Sequence, residues 1–366
     1  MTIGVVGAGQ LGRMLALAGY PLGLDFVFLD PAPGAPAGQV ARQLRGAFSD
    51  RARLDELGSA ADVITFDWEN VSVEALRAVR GRARICPPVA ALAAAQDRVS
   101  EKRLFERLRI PTTRWRAVAS RSQLARAIAE IGLPGVLKTR RLGYDGKGQA
   151  VLKTPDDVAA AWAALGSAAL LYEEFVPFDF EVSIIGARGR GGETALYPLN
   201  RNIHAGGILR ATSAPLESPE LQRLAARYLR RALAHFRYVG VLTIEFFVRG
   251  GRLIANEMAP RVHNSGHWTI EGSETSQFEN HLRAIAGLPL GSTRVRGHCI
   301  MINLIGSMPP RARLLAHPGL HLHDYGKEAR PGRKLGHCTL IAPTAGARDR
   351  RARRLLTELA PGIRIP

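Results

Sequence analysis

Residues 3–15 read IGVVGAGQLGRML, and inside them GAGQLG, residues 7–12, fits the G-x-G-x-x-G pattern of a dinucleotide-binding turn. Ile3, Val5 and Val6 make a short apolar run before the glycines, and Leu11, Met14, Leu15, Leu17 and Ala18 recur at helical spacing after them. The turn therefore joins a strand to a helix. Gly19, Pro21 and Gly23 stop that helix before a second strand, 26–29, which ends on Asp30, the acid that would hold a ribose. On these residues alone two readings stand level: NAD or FAD binding, and glycines that simply bring a helix N-terminus close to a strand.

Outward from this stretch the alternation continues. A loop rich in Pro, Ala and Gly leads to a helix over RARLDELGSA (51–60), a strand over ADVITF (61–66) ending on Asp67, Glu69 and Asn70, a helix over 73–80, and a short strand over 83–85 that stops at Pro87 and Pro88. Such βαβ repetition predicts a parallel, doubly wound, Rossmann-like sheet in residues 1–95. Residues 89–108 read as helical, and IPTTRW (110–115) marks a boundary. A small α/β unit closes the stretch 96–176: strand WRAV, a helix capped by Ser120 or Ser122, strand GVLK, a glycine loop, strand AVLK, a helix starting at Thr154–Pro155, and strand LLYEE. Longer paired strands with helices over 219–235 and 276–285 fill 177–295, and short strands with Pro and Gly turns fill 296–366.

Composition narrows the classes. With 366 residues, 46% of them hydrophobic and 22% charged, the chain has material for two to four domains of ordinary globular type. The N-terminus enters a strand directly and no apolar run approaches the ~18 residues of a membrane span, so a cytoplasmic, membrane-free protein is expected. Cys86, Cys299 and Cys338 are too widely spaced for a C-x-x-C pair and read as reduced, buried small side chains. The net charge of +18 raises the question of nucleic acid, but its densest stretch, ARDRRARRLL (347–356), reads as a helix with Leu355 and Leu356 inward and arginines in water. No aromatic residues interleave it to stack on bases, so a basic enzyme handling several anions is the simpler reading.

Chemistry concentrates in four places. RRLGYDGKGQ (140–149) is a hairpin tip whose glycines and cations, with Lys138, suit it to cover phosphates; it is not a Walker A loop. The strands VLTIEFFV (241–248) and LIANE (253–257) form a hairpin in which Glu245 faces either Asn256 or Glu257, according to whether the turn holds two residues or three with a bulge. Two acids in apolar strands call for a cation: oxygen ligands suit Mg²⁺ or Mn²⁺, and an arginine salt bridge to each acid is the alternative. MAPRVHNSGHW (258–268) concentrates Arg261, His263, Asn264, Ser265 and His267, donors able to receive a small anion. Zinc is the competing reading for its histidines, which lack a third ligand nearby. KEARPGRKLGH (327–337) gathers cations about a Pro-Gly turn, as a sugar phosphate would require.

These motifs together resemble a known family. GQLGRML, DR at 97–98, VLK and GYDGKGQ within 136–149, YEEFV at 172–176, EVSIIGARG at 181–189, YPLNRNIHAGGILR at 197–210, IEFF at 244–247, NEMAPRVHNSGHWT at 256–269 and ARPGRKLGH at 329–337 are similar, in order, to the 5-(carboxyamino)imidazole ribonucleotide synthases, ATP-grasp enzymes of bacterial purine synthesis. The resemblance implies an α/β and α+β architecture: a pre-ATP-grasp sheet, a small lid, a larger ATP-grasp domain and a small C-terminal β-rich subdomain. It implies carboxylation of 5-aminoimidazole ribonucleotide with bicarbonate and ATP, through carboxyphosphate or CO₂ released from it, with Mg²⁺ as the metal and a homodimer as the assembly. Arg98 and Lys138 would contact ATP phosphates under a closing loop of Gly143, Tyr144, Asp145, Gly146, Lys147, Gly148 and Gln149. Glu173, Glu174, Phe175 and Val176 would hold the adenine and hinge region, Glu181 the ribose, and His204 another part of the nucleotide. Asn256 would lie beside the phosphates, and Glu245 and Glu257 would ligate the metal. Arg261 and His263, with Asn264, would act on carboxyphosphate, and Asp145 would meet the substrate amine. Lys327 and Arg333 would grip the ribonucleotide phosphate, with Gln10, Leu11 and Glu69 as neighbours.

Two departures stand out. Many ATP-grasp enzymes carry E-M-N-x-R after the metal strand, whereas EMAPR here has Ala259 at the Asn position, leaving Glu245 and Glu257 as the ligands; the arginine-rich tail after GHCTL is also short. The competing readings are a formate-using or biotin-carboxylating ATP-grasp ligase, which would not carry HNSGHW or RPGRK, an NAD-dependent oxidoreductase resting on GAGQLG, and a basic nucleic-acid binder resting on charge.

Overall fold

The first sheet follows from buried apolar runs. In the computed structural model, which describes residues 1–79, 83–143 and 146–359, β1 (Thr2–Val6), β2 (Asp25–Asp30), β3 (Arg42–Arg45), β4 (Val63–Phe66) and β5 (Arg84–Ile85) are parallel in the order β3-β2-β1-β4-β5. Ile3 and Val5 of the central strand pack with the helix Gln10–Gly19, and Val6 packs toward the helix Arg51–Ala60. With both faces covered, near-continuous apolar strands are what burial demands. The loop expected after Asp30 contains the edge strand β3; its RQLR has one buried residue, Leu44, too few to give a period.

The glycine turn adopts the expected geometry and fills it from within. Gly7 has φ 99°, and a Cβ there would stand 1.7 Å from Asp67 Oδ1. The Asp67 carboxylate accepts Gly12 N–H at 3.0 Å, while Asp30 accepts Ala8 N–H and Ala32 N–H, each at 2.8 Å. Asp30 is thus a polar strand terminus that holds the turn, not a ribose ligand, and the dinucleotide reading loses its anion site. Asp30→Ala, which orphans the Ala8 N–H and leaves the exposed Ala32 N–H to water, should lower unfolding free energy by about 1 kcal/mol. Asp30→Asn should fall between it and the parent in denaturant unfolding.

The stretch expected as one helix over 89–108 is two, Val89–Ala95 and Arg98–Arg107, because Asp97 caps the second by accepting Val99 N–H at 3.0 Å and Ser100 N–H at 3.2 Å. Next comes an antiparallel sheet of β6 (Trp115–Val118), β7 (Gly135–Thr139), β8 (Gln149–Leu152) and β9 (Leu170–Glu174), in the order β6-β9-β7-β8. Its helices Arg121–Ile131, capped by Ser120, and Asp157–Leu165 supply the apolar residues of one core, and the β7–β8 hairpin carries the glycine loop.

The third sheet has nine strands: β10 (Phe180–Arg188), β11 (Thr194–Leu196), β12 (Asn200–Ala205), β13 (Ile208–Ala214), β14 (Gly240–Arg249), β15 (Arg252–Ala259), β16 (His298–Ile305), β17 (Leu320–Asp324) and β18 (Lys334–Ala342). Their order is β15-β14-β10-β12-β13-β16-β18-β17, with β11 beside β10, so the C-terminal strands extend the sheet that carries the acids. Ile244, Phe246 and Val248 pack with the helix Pro219–His235. Val241 and Ile185, on the opposite face, pack with the helix Gln277–Ala286, which meets Gly19 of the first helix through Leu282. His281 of that helix accepts Val241 N–H at its Nδ1 and faces Thr65 Oγ1 from Nε2 at 2.9 Å, joining the first sheet to the third. Along the C-terminal helix Ala345–Leu359, Leu355 and Leu356 are buried and Arg350, Arg351, Arg353 and Arg354 exposed, the solvated-face pattern expected. The three cysteines are free and buried. Among the described residues no helix is long and apolar enough to cross a membrane.

Candidate active site

The acidic hairpin fixes the centre of the site. Gly250 and Gly251 form a two-residue turn with φ 53° and 71°, and Arg249 pairs with Arg252. A two-residue turn alone would set Glu245 against Asn256. A bulge in β15 adds one residue, Phe246 pairs with Ala255, and Glu245 comes to stand opposite Glu257. The outcome combines parts of both sequence alternatives: the short turn, with the bulge placed farther along the strand.

The two carboxylates differ in surroundings. Burial, with nearby Glu257, pushes the Glu245 carboxyl up to about 7, while His204 opposes that shift. Glu257 is held below the usual range: burial opposes its charge, but Arg98 and Lys138 outweigh it, and Arg98 Nη1 lies 3.2 Å from Glu257 Oε2. Beside them, Asn256 Oδ1 is buried and finds no hydrogen-bond partner among the described residues. Two carboxylates and an orphaned amide oxygen form an all-oxygen donor set that fits a hard divalent cation. Among the described residues no cluster of three or more His, Cys, Asp or Glu side chains is arranged to hold a metal.

Lys138 is organised from the lid side. Glu173, buried on β9, bonds Lys138 Nζ through one oxygen and, through the other, lies 2.9 Å from Lys102 Nζ and accepts Thr113 Oγ1–H at 2.6 Å. Burial pushes the Lys138 ammonium down, against Glu173, whose own carboxyl is held well below the usual range by the two lysines despite burial. The Glu173 side chain, expected at the adenine, is therefore a clamp for Lys138. Glu174 turns away to Arg114 Nε at 2.8 Å; Phe175 is 40% exposed and Val176 buried. Lys102 was missed because a lysine on an exposed-looking helix carries no sequence signal of burial.

Arg98 also borders the glycine loop: a Cβ on Gly143 would stand 3.2 Å from Arg98 Nη2, and one on Gly146 would stand 3.0 Å from Gly207 in the β12–β13 turn. The hairpin tip thus reaches from the lid to the large sheet, with Gly148 against Thr139 and Gln149 opening β8. Tyr144 and Asp145 lie outside the described residues. Across the tip, His204 Nδ1 and Glu181 Oε2 are 2.8 Å apart on β12 and β10. Burial disfavours charge on His204, yet the bond to Glu181 and the carboxylates of Glu245 and Glu257 raise its pKa above the usual value.

On the other side of Glu245, His263 Nε2 lies 3.1 Å from Glu245 Oε1, while His263 Nδ1 accepts Ser265 N–H at 3.3 Å. The ring proton therefore sits on Nε2 and faces the carboxylate. Burial, then Arg261, drives the His263 pKa well down, so the imidazole is neutral. Arg261 Nη2 pairs with Glu69 Oε1 at 2.9 Å, and its buried Nε has no partner among the described residues. Asn264 is a correction: its amide pairs reciprocally with Asn303, Nδ2 to Oδ1 at 3.1 Å and back at 2.8 Å, which makes it a support for the loop. Beneath the loop, Ser265 Oγ, Ser183 Oγ, Asn200 and Asn202 form a buried hydrogen-bond network that sequence reasoning did not find. Its signal is the period-two Asn200 and Asn202, both inward.

The two ends of the chain meet at the cleft's far wall. Lys327 Nζ bonds Gln10 Oε1 at the start of the first helix, and Gln39 Nε2 donates to Gly326 O at 3.0 Å. Burial, then Arg333, brings the Lys327 ammonium down to about 8. Arg333 Nη1 donates to Glu328 O at 3.3 Å, bracing the Pro331–Gly332 turn. Lys334, not singled out before, bears electrostatically on Lys327, Glu245 and His263 alike.

Three family profiles match the chain: a ribonucleotide synthetase preATP-grasp domain over residues 1–96, an ATP-grasp domain over 103–278 and a phosphoribosylaminoimidazole carboxylase C-terminal domain over 299–351. The N5-carboxyaminoimidazole ribonucleotide synthase of Pseudomonas aeruginosa is 53% identical over 340 residues, covering 93% of this chain and 94% of that protein. The crystal structure of N5-carboxyaminoimidazole ribonucleotide synthetase from Thermus thermophilus superposes with a TM-score of 0.95 at 51% identity over the whole of both chains. The N5-carboxyaminoimidazole synthase of Aspergillus clavatus, solved with ADP and 5-aminoimidazole ribonucleotide, gives a TM-score of 0.92 at 31% identity over 98% of each chain.

Proposed function

The chain belongs to the N5-carboxyaminoimidazole ribonucleotide synthases of the ATP-grasp family, and we infer from that premise how its cleft couples ATP cleavage to carboxylation of 5-aminoimidazole ribonucleotide. The products are the N5-carboxylated ribonucleotide, ADP and phosphate. The observation that supports this division of labour is the convergence of the Glu245–Glu257 pair, Lys138 and Arg98 on one side with Arg261 and His263 on the other.

ATP lies between the lid sheet and the large sheet. Lys138 and Arg98 take its phosphates, the loop from Gly143 to Gln149 covers them, and residues Glu174 to Val176 border the adenine. Glu181 takes the ribose, with His204 as its partner. Glu245 and Glu257, with Asn256 adjacent, would hold Mg²⁺, or Mn²⁺ in its place, which would supply charge neutralisation for the triphosphate. A bicarbonate oxygen attacks the γ-phosphorus and the bond to ADP breaks. Arg261, whose Nε lacks a partner among the described residues, receives the anion so formed, and the His263 N–H steadies it beside Glu245. The substrate amine then forms the new N–C bond as the C–O bond to phosphate breaks, its proton leaving with the phosphate; Asp145 would meet that amine.

Lys327 and Arg333 take the ribonucleotide phosphate, beside Gln10, Leu11 and Glu69. A dianion there favours the charged form that burial of Lys327 disfavours. Lys327→Ala should raise KM for the ribonucleotide about 10–100-fold, the range of one charge-assisted hydrogen bond, with KM for ATP within about twofold. Steady-state kinetics in each substrate checks this.

Phosphate release from ATP tests the whole reading. It should rise when 5-aminoimidazole ribonucleotide and bicarbonate are both present; a rise with formate or biotin in their place would overturn the substrate assignment. Micromolar NADH binding by fluorescence titration would restore the oxidoreductase.

A further inference from the structure

Glu101 takes no part in the chemistry above, yet it is 2% exposed on the helix Arg98–Arg107, and its Oε1 accepts Met258 N–H at 2.6 Å. Met258 directly follows Glu257 in β15, the edge strand of its sheet. The edge is occupied on both sides of the bulge. Ala255 N–H donates to Pro111 O at 2.7 Å, and Ala255 O accepts Thr112 Oγ1–H at 2.9 Å. Glu101, Pro111 and Thr112 thus stand where a further strand would, and they hold the backbone of residues 255 and 258.

A bulge has an unpaired residue and a choice of place along its strand. Sliding this one a residue away from the turn, or removing it, would set Asn256 against Glu245. Keeping a buried carboxyl close to Glu257 is unfavourable, and burial with that neighbour pushes Glu101 up to about 8. Its Oε1 nonetheless accepts one N–H, and that N–H lies one residue from Glu257.

We propose that Glu101 is a positioning residue for the metal-ligand pair: its bond to Met258 N–H locks the β15 bulge in the register that sets Glu257 against Glu245. The proposal rests on the reading of that pair as the metal site. Mn²⁺ binding to the full-length protein with ADP, followed by electron paramagnetic resonance, tests it together with melting temperature. Glu101→Ala should weaken Mn²⁺ about tenfold, the effect of one lost buried hydrogen bond. Glu101→Gln, whose amide oxygen accepts the same N–H, should stay within about twofold. Thr112→Val, which removes the hydroxyl at the other end of the bulge, should weaken Mn²⁺ about threefold, and so keeps the test open if Glu101→Ala does not fold. Parental Mn²⁺ affinity in Glu101→Ala or Thr112→Val, or a loss in Glu101→Gln as large as in Glu101→Ala, overturns the positioning role. Glu257→Gln is the control: if it leaves Mn²⁺ affinity intact, the metal reading itself fails, a result distinct from failure of Glu101 alone.

Discussion

Replacing Glu257 by Gln should reduce ATP-dependent phosphate release by about 10²–10³-fold, the loss seen when one preorganised contact to developing charge is removed. Glutamine keeps the volume and one acceptor oxygen, so the hairpin should fold as before. The negative charge is lost, and with it both the hard ligand and the counter-ion of Arg98, 3.2 Å away. Glu245 remains, relieved of the neighbouring negative charge that helps to raise its pKa, but it is then the one anionic ligand of the pair. A Mg²⁺ titration divides the effect. Recovery at high Mg²⁺ places the loss in metal affinity, and a fall that persists at saturation places it in the transfer step. Turnover within a fewfold of the parent across the titration would overturn the metal assignment.

The second large effect is on stability. Glu173→Gln should lower unfolding free energy at neutral pH by about 3–5 kcal/mol, the usual result of stripping one partner from a buried ion cluster. Lys102 and Lys138, with side chains 3% and 10% exposed, would be left as two ammonium groups without their shared carboxylate. The pH dependence follows from the depressed native pKa of Glu173. Its contribution is fully present above the ordinary value of 4.5 and is lost as pH falls below that toward the native value. The gap between parent and variant should therefore be wide at pH 7 and close as the solution is acidified. Denaturant unfolding at several pH values checks it, and a gap under about 1 kcal/mol at pH 7 would mean the lysines have other counter-charges.

What the chain discloses before folding depends on whether a residue's role is local. The strand-turn-helix at residues 3–15, the acids at 245 and 257 and the donors after Met258 announce themselves because glycines, acids in apolar strands and dense polar loops are unusual in one dimension. The partner of Glu245 is not local: a bulge placed beyond the turn decides it, and no residue in LIANE marks that bulge. Lys102 and Glu101 sit on a helix whose polarity looks like a solvated face, and their burial comes from the lid sheet and β15 closing over it. Asn264 misled for the opposite reason, since a polar residue in a catalytic-looking loop can be committed to another support, here Asn303 on β16. β3 escaped notice because Leu44 is the one buried residue of RQLR, too few to show a period.

The carboxylates of Asp30 and Asp67 around the glycine turn have a consequence for selectivity. A loop shaped to welcome a pyrophosphate carries its own tenants, tethered by the chain itself. A dinucleotide would have to evict both, and no steric barrier is needed to exclude it. Turning this domain toward NAD would begin by vacating those two seats, and Gly7, with room for a Cβ only if Asp67 leaves, shows how tightly the second is occupied.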